Sequence, residues 1–387
     1  MTNKTVKTDE TMSPQEEAQT ERKIRRAYMA PRVLSAEPLE AAAANCDGTS
    51  GFGKPGIVAC EPATLGSEVD LVNNQNNYSW GTKSLSLGLP ALQLNLSGLS
   101  HLQRTELAAN YAGFVNATTH EPATQRVECR AYRLCQPLNI PTQALTVDGQ
   151  YAPIKCRLPD GAGVEITGVN FKARFAMQAC SPWAALGVFE ERELSGEMVI
   201  QNFLRILVAH LVPPQGGAVL HSAGLVFDGW AYVFPGHSNV GKTTLSRKAF
   251  ASGARVLSDD INLVLPEGAG FSAHAVPFTG EFGRTLDHTG GKASYPLEAI
   301  VLLDQGDRIE TRSPSYAEAV ARLLACCPFV NTDEHETEIM LDVLTTLATR
   351  VPVIALRSSR DDSIDSIMAA VKQQLETLRP IVALHYG

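Results

Sequence analysis

Apolar and polar positions alternate over residues 91–96 (Ala91-Leu92-Gln93-Leu94-Asn95-Leu96), the period-2 pattern of a half-buried strand. Residues 102–114 follow with helical spacing. Short apolar runs around Tyr132, Leu145 and Val164 come next, broken by Pro, Asp and Gly, with Asp160-Gly161 as a turn signal. Residues 68–195 therefore read as a small α+β domain, and nothing in them names a role. From 196 onward the pattern changes. A nearly continuous apolar helix over 196–212 is halted by Pro213-Pro214. An apolar strand at 217–227 turns at Asp228-Gly229, a hairpin signal, into a return strand at 230–234. A helix over 242–251 is closed by Gly253. Strand-like runs at 254–257 and 261–265 flank Ser258-Asp259-Asp260, and 297–303 reads as a buried strand. Helices are predicted over 314–326, 335–349 and 361–378, with a strand at 353–356. Strands interleaved with helices place 196–387 in the α/β class. No internal repeat is visible.

The first 67 residues differ. Residues 1–30 are rich in Thr, Glu, Gln and Lys and lack apolar periodicity, which predicts disorder. In 31–67, Leu39-Glu40-Ala41-Ala42-Ala43-Ala44 favours a helical turn or two, and the Gly/Pro/Ser-rich stretch after Cys46 cannot extend it. The order of a charged leader, this Ala-rich run to Cys46 and a small-residue end at Leu65-Gly66-Ser67 is similar to a ribosomal peptide precursor. Two readings follow: a plain tail or linker, or a substrate-like segment in cis offering Thr49, Ser50 or Ser67 as a hydroxyl acceptor.

At 387 residues, 44% of them hydrophobic, the chain can bury a substantial core and suggests two domains and a tail. A net charge of −8 argues against a general nucleic-acid binder. Eight cysteines form no CxxC pair and no zinc-ligand spacing, so they read as reduced thiols of a cytoplasmic protein. The N-terminus has no apolar secretory core. The most apolar stretch, 198–212, is too short to span a bilayer and contains Gln201, Asn202, Arg205 and His210, so no membrane partner is expected.

The chemistry concentrates at Gly236-His237-Ser238-Asn239-Val240-Gly241-Lys242-Thr243, which fits G-x-x-x-x-G-K-[ST] without a mismatch. Glycines near each end let backbone N–H groups turn inward around polyphosphate. The helix that follows adds the positive end of its dipole. Lys242 can reach the β- and γ-phosphates, and the Thr243 hydroxyl can ligate Mg²⁺. The pattern also arises by chance as a Gly-rich turn with a solvated lysine. A strand entering and a helix leaving favour the phosphate loop.

Phosphoryl transfer also needs acids for metal binding and for the acceptor hydroxyl. Two sites qualify equally on residue type: Asp259-Asp260 after the strand that follows the loop helix, and Asp304 at the end of Ile300-Val301-Leu302-Leu303. The bland reading of the first is a solvated turn or helix cap, which Ser258 also favours.

His221-Ser222-Ala223-Gly224, the hairpin, the loop extended through Thr244, and Leu257-Ser258-Asp259-Asp260 resemble the catalytic core of the HPr kinase/phosphorylase family. That core is shared with ATP-dependent phosphoenolpyruvate carboxykinases. The resemblance covers roughly 215–305. It implies a P-loop α/β domain with a mixed sheet and flanking helices, ATP and Mg²⁺, and often a homo-oligomer. It implies phosphate and metal binding by Lys242 and Thr243, metal binding and proton transfer by Asp259 and Asp260, and a place near the active site for His221. The family loop usually carries Gly after the Ser, where this chain has Asn239. Pro277-Phe278-Thr279-Gly280-Glu281-Phe282-Gly283-Arg284 occupies the region of a downstream family signature, with Glu281 and Arg284 as metal or phosphate contacts or as a surface salt bridge. Without the family pattern His221 reads as an ordinary core histidine.

The expected function is ATP-dependent transfer of a γ-phosphoryl group to a hydroxyl of a protein, peptide or small molecule. The alternatives are a nucleotide-binding regulatory module without turnover, and a P-loop NTPase using Asp304. No Asn-Lys-x-Asp motif supports guanine reading.

Overall fold

Leucines at every second position build the first sheet. Its seven strands lie in the order β1 (Lys83–Leu89), β2 (Leu92–Leu99), β3 (Gln125–Arg133), β9 (Trp183–Val188), β8 (Phe171–Ala176), β7 (Val164–Gly168) and β6 (Ile154–Arg157). A two-stranded piece, β4 (Thr146–Val147) with β5 (Gln150–Tyr151), stands apart. In β2, Leu92, Leu94 and Leu96 are buried, while Gln93 and Asn95 face the other side. There Ser86, Gln93, Asn95 and Glu128 form a polar ladder with bonds of 2.6–2.8 Å. Helix α1 (His101–Asn110) begins at a reciprocal capping box between Ser100 and Gln103. It ends four residues short of the predicted 114, where the chain tightens into a 3₁₀ turn at Ala112–Phe114. Gly113, poor for helix, sits in that turn.

This computed structural model describes residues 79–117, 125–140, 145–147, 150–151, 153–158, 163–176, 182–278, 280, 282–283, 294–329 and 334–383, all within one unit, Pro38–Gly387. The tail 1–67, with its candidate acceptors Thr49, Ser50 and Ser67, lies outside the described residues.

The second sheet contains β10 (Ala218–Phe227), β11 (Trp230–Pro235), β12 (Arg255–Ser258), β13 (Ile261–Glu267), β14 (Gly270–His274), β15 (Ser294–Gln305), β16 (Glu310–Arg312) and β17 (Val353–Ser358). It is mixed: β15 runs parallel to β11 and to β17, and the other pairings are antiparallel. The β10–β11 hairpin turns on Asp228 and Gly229, both at positive φ (53° and 82°), the geometry an Asp-Gly pair accommodates. Two long strands change partners along their length. β10 pairs with β13 through residues 218–221 and with β11 through 222–227. β15 meets β14, then β11, then β17.

Helices cover both faces, as the unbroken apolar runs of these strands require. Helix α2 (Glu191–Ser195) leads into α3 (Glu197–Leu211), and one contiguous apolar cluster joins α3 to the first sheet and to one face of the second. On the other face Ala223, Leu225 and Phe234 pack with α4 (Lys242–Ala251) and α7 (Ile364–Ala383). Helices α5 (Tyr316–Ala325) and α6 (Glu334–Arg350) lie between β16 and β17 in the chain. Among the described residues no helix is long and apolar enough to cross a membrane.

Candidate active site

Strand register gathers residues that are far apart in sequence. In β10, Ser222 pairs with Pro235, the last residue before the Gly236–Thr243 loop, and His221 pairs with Ile261, the first after Asp259-Asp260. The Ser222 N–H donates to the Asp260 carbonyl at 2.8 Å. A single dipeptide of β10 thus lies between the loop entry and the acid turn. Asn262 locks this junction, donating to the Ser222 carbonyl at 2.7 Å and to its hydroxyl at 3.0 Å. Gly224 leaves the space: a Cβ there would sit 2.1 Å from Asn262 Oδ1.

The loop runs from β11 into α4. Gly236 is confined, since a Cβ would lie 2.7 Å from the Val240 side chain. Gly241 caps the helix at φ +111°. Asn239 stands at φ +62°, in the left-handed region where Asn is among the most tolerated non-glycine residues. The departure from glycine at this position is therefore compatible with the backbone. Lys242 opens the helix, buried, its ammonium donating to the Gly236 and His237 carbonyls at 2.8 Å each. The first N–H groups of any helix lack intrahelical partners, so the start of α4 presents donors to the cleft.

Opposite the loop, Asp259 and Asp260 are buried. That overturns the solvated-turn reading. Asp259 Oδ1 accepts from the Gly280 and Gly283 amides at 2.8 and 3.0 Å, and its Oδ2 from the Phe282 amide at 3.2 Å. Gly280 permits this approach, since a Cβ would meet both carboxylate oxygens at 2.8 Å. Phe282 is itself held by α4: its ring lies edge-on to Phe250 at 5.8 Å between centroids, under the Arg247 guanidinium at 5.6 Å. Asp260 Oδ2 accepts from Arg205 of α3 at 2.6 Å, and its Oδ1 lies 3.8 Å from His221 Nδ1. Ser258 braces the turn, its hydroxyl donating to the Phe278 carbonyl and accepting from the Asp260 and Ile261 amides.

Burial, then the charges of Lys242 and Arg205, hold the His221 imidazole well below its ordinary range, so it is neutral near pH 7. Among the described residues its Nδ1 has no hydrogen-bond partner. The Cys326 carbonyl accepts the His221 backbone N–H at 2.8 Å. Burial pushes the Cys326 thiol up to about 11, against the opposing pull of Lys242, Arg322 and the Gly236 amide.

One cleft of about 620 Å³ is lined by His221, the loop from Ser238 onward, Asp259, Asp260 and Gly280. Its far wall is formed by Leu303, Gln305 and Gly306 at the end of β15 and by residues 358–360 at the end of β17. Lys248 of α4 ties that wall in place, donating to the Arg360 carbonyl and, at 2.6 Å, to the Asp362 carbonyl. Asp304 does not line the cleft. It accepts from Arg322 of α5 at 2.8 Å. Glu281 and Arg284 lie outside the described residues.

Among the described residues no group of three or more His, Cys, Asp or Glu is placed to hold a metal ion. One or two carboxylates with a threonine hydroxyl are instead the donor set Mg²⁺ uses when substrate phosphates supply the remaining oxygens. Thr243, Asp259 and Asp260 around the cleft have that chemistry. Sequence reasoning missed Arg205, Gly280 and Cys326. Arg205 had a signal, a guanidinium inside an apolar helix, which served only to argue against a membrane span.

The model of the family described as "SynChlorMet cassette protein ScmC" matches residues 189–366, a span that contains Arg205, the loop and the acid turn. No curated protein matches. Solved structures that match include the Hpr(Ser) kinase/phosphatase from Coxiella burnetii, at 12% identity over 42% of this chain and 98% of that one, with a TM-score of 0.26. Likeness at that score does not establish a shared architecture, so the reading of the site rests on its own geometry.

Proposed function

We propose that the chain is an ATP-dependent kinase that transfers the γ-phosphoryl group to a hydroxyl of a protein, peptide or small molecule. The observation that carries this reading is the meeting, in one cleft, of the Gly236–Thr243 loop with two buried carboxylates and a neutral histidine. Loop amides and Lys242 hold the phosphates, which positions the γ-phosphorus toward the acid turn. The acceptor oxygen attacks that phosphorus, the bond to the β–γ bridging oxygen breaks, and the hydroxyl proton passes to Asp260, whose Oδ1 lies on the His221 side of the turn. ADP and the phosphorylated acceptor leave. Asp259, with both oxygens engaged by backbone amides, holds Gly280, Phe282 and Gly283 beside the cleft. Thr243 and Asp259 would hold Mg²⁺, which when bound would neutralise charge developing on the phosphates.

Binding and transfer are tested separately. Mg²⁺-ATP should raise the thermal midpoint of the wild-type chain through ligand linkage, and Lys242→Met should abolish most of that rise. Label from γ-labelled ATP should then appear on a component of cell extract or on the chain itself. A thermal rise with no transfer and no phosphate release would replace this reading with a regulatory nucleotide-binding module. Label on peptides from 1–67 would make the tail an acceptor in cis.

A further inference from the structure

We infer that Arg205 is a positioning residue of the cleft, holding the Asp260 carboxylate in one orientation; the inference rests on the phosphotransferase reading above. Helix α3 is buried on nearly all sides among residues such as Phe203, Leu204, Ile206 and Leu207. A guanidinium in such a helix is costly to desolvate, and buried ion pairs are often no more stable than apolar replacements. Stability alone therefore does not explain Arg205.

The geometry points to orientation instead. Arg205 Nη2 approaches Asp260 Oδ2 at 2.6 Å from the core side. The backbone of Asp260 is pinned on both flanks, by Ser258 through its N–H and by Ser222 through its carbonyl. With one oxygen bound to Arg205, the other is directed toward His221 and the cleft. Side chains locked in this way hold productive geometry, and displacements of about 1 Å can cost ~10²-fold in rate. Arg205 touches no reacting atom in this arrangement and acts through Asp260.

The test uses the full chain with a non-hydrolysable ATP analogue, reading the thermal shift as Mg²⁺ is titrated, alongside ATP consumption. Arg205→Met removes the opposing charge and its bond to Oδ2. The half-saturating Mg²⁺ concentration should fall at least about threefold, since one unit charge beside the ion is lost, while ATP consumption drops ~10²-fold. Arg205→Lys keeps the charge, so its Mg²⁺ midpoint should stay near wild type, with ATP consumption between the two. If Arg205→Met does not fold, Arg205→Gln carries the same comparison. Equal Mg²⁺ midpoints in the charged and uncharged variants, with activity loss that merely follows loss of thermal stability, would overturn the inference and leave the kinase reading standing. No nucleotide-dependent shift in the wild-type chain would bring down both.

Discussion

Two acidic strand ends look alike in sequence and differ in space. Asp304 lies within β15 between Leu303 and Gln305, and successive side chains of a strand point to opposite faces. Its neighbours border the cleft, so Asp304 faces away, partly exposed and paired with Arg322. Asp259 and Asp260 instead occupy a turn between β12 and β13, where backbone curvature brings both carboxylates into the interior. One finds three amides, the other a guanidinium. An acid's chemistry therefore follows from the strand face and the partners that its backbone imposes. Proximity to a phosphate loop in sequence is a weaker guide.

The largest expected effect is at the acid turn. Asp260→Ala should lower phosphoryl transfer by ~10²–10⁴-fold and, by breaking the buried ion pair with Arg205, destabilise the fold by about 3–5 kcal/mol in urea unfolding. Gly280→Ala comes next. Its methyl group would force the Gly280 backbone off Asp259, with a loss of about 1–3 kcal/mol for an unpaired buried carboxylate or amide, read in urea unfolding. A third effect is pH-dependent. His221 is neutral when folded, so below about 6.5 the unfolded chain takes up the proton first and stability falls with pH. His274, held by burial at about 4, adds to the same trend down to that pH. Urea midpoints measured at pH 7.5 and 5.5 should show a smaller drop for His221→Gln than for the wild type. The smallest effect belongs to Asp304→Asn, which removes a partly exposed ion pair worth about 0–1 kcal/mol and should leave transfer within about twofold, as a residue outside the cleft would. A large loss of transfer there would dissolve the contrast between the two acids.

The legible parts of this molecule are local. Asp228-Gly229 specifies its own turn, and the loop and the helix after it are written in consecutive residues. The helices at 316–325 and 334–350 lie close to their predicted spans because each carries its own apolar periodicity. What escaped reading depends on partners distant in the chain. Arg205 meets Asp260 across 55 residues, and the Gly280 amide meets Asp259 across 21, with neither spacing periodic. β14 is short and gains its place from β13 and β15 on either side. Residues 91–96 read as a strand, while the equally alternating Leu85, Leu87 and Leu89 of β1 were overlooked among serines and glycine. The choice between Asp259-Asp260 and Asp304 stayed open in sequence because strand face and the register of β10 are not properties of either segment alone.

The most direct measurement compares γ-phosphoryl transfer from Mg²⁺-ATP by three folded chains: wild type, Asp260→Asn and Asp304→Asn, with nucleotide binding followed in parallel. The account predicts that all three bind nucleotide, that Asp304→Asn transfers at close to the wild-type rate, and that Asp260→Asn falls by ~10²-fold or more. Retained transfer in Asp260→Asn together with its loss in Asp304→Asn would contradict it.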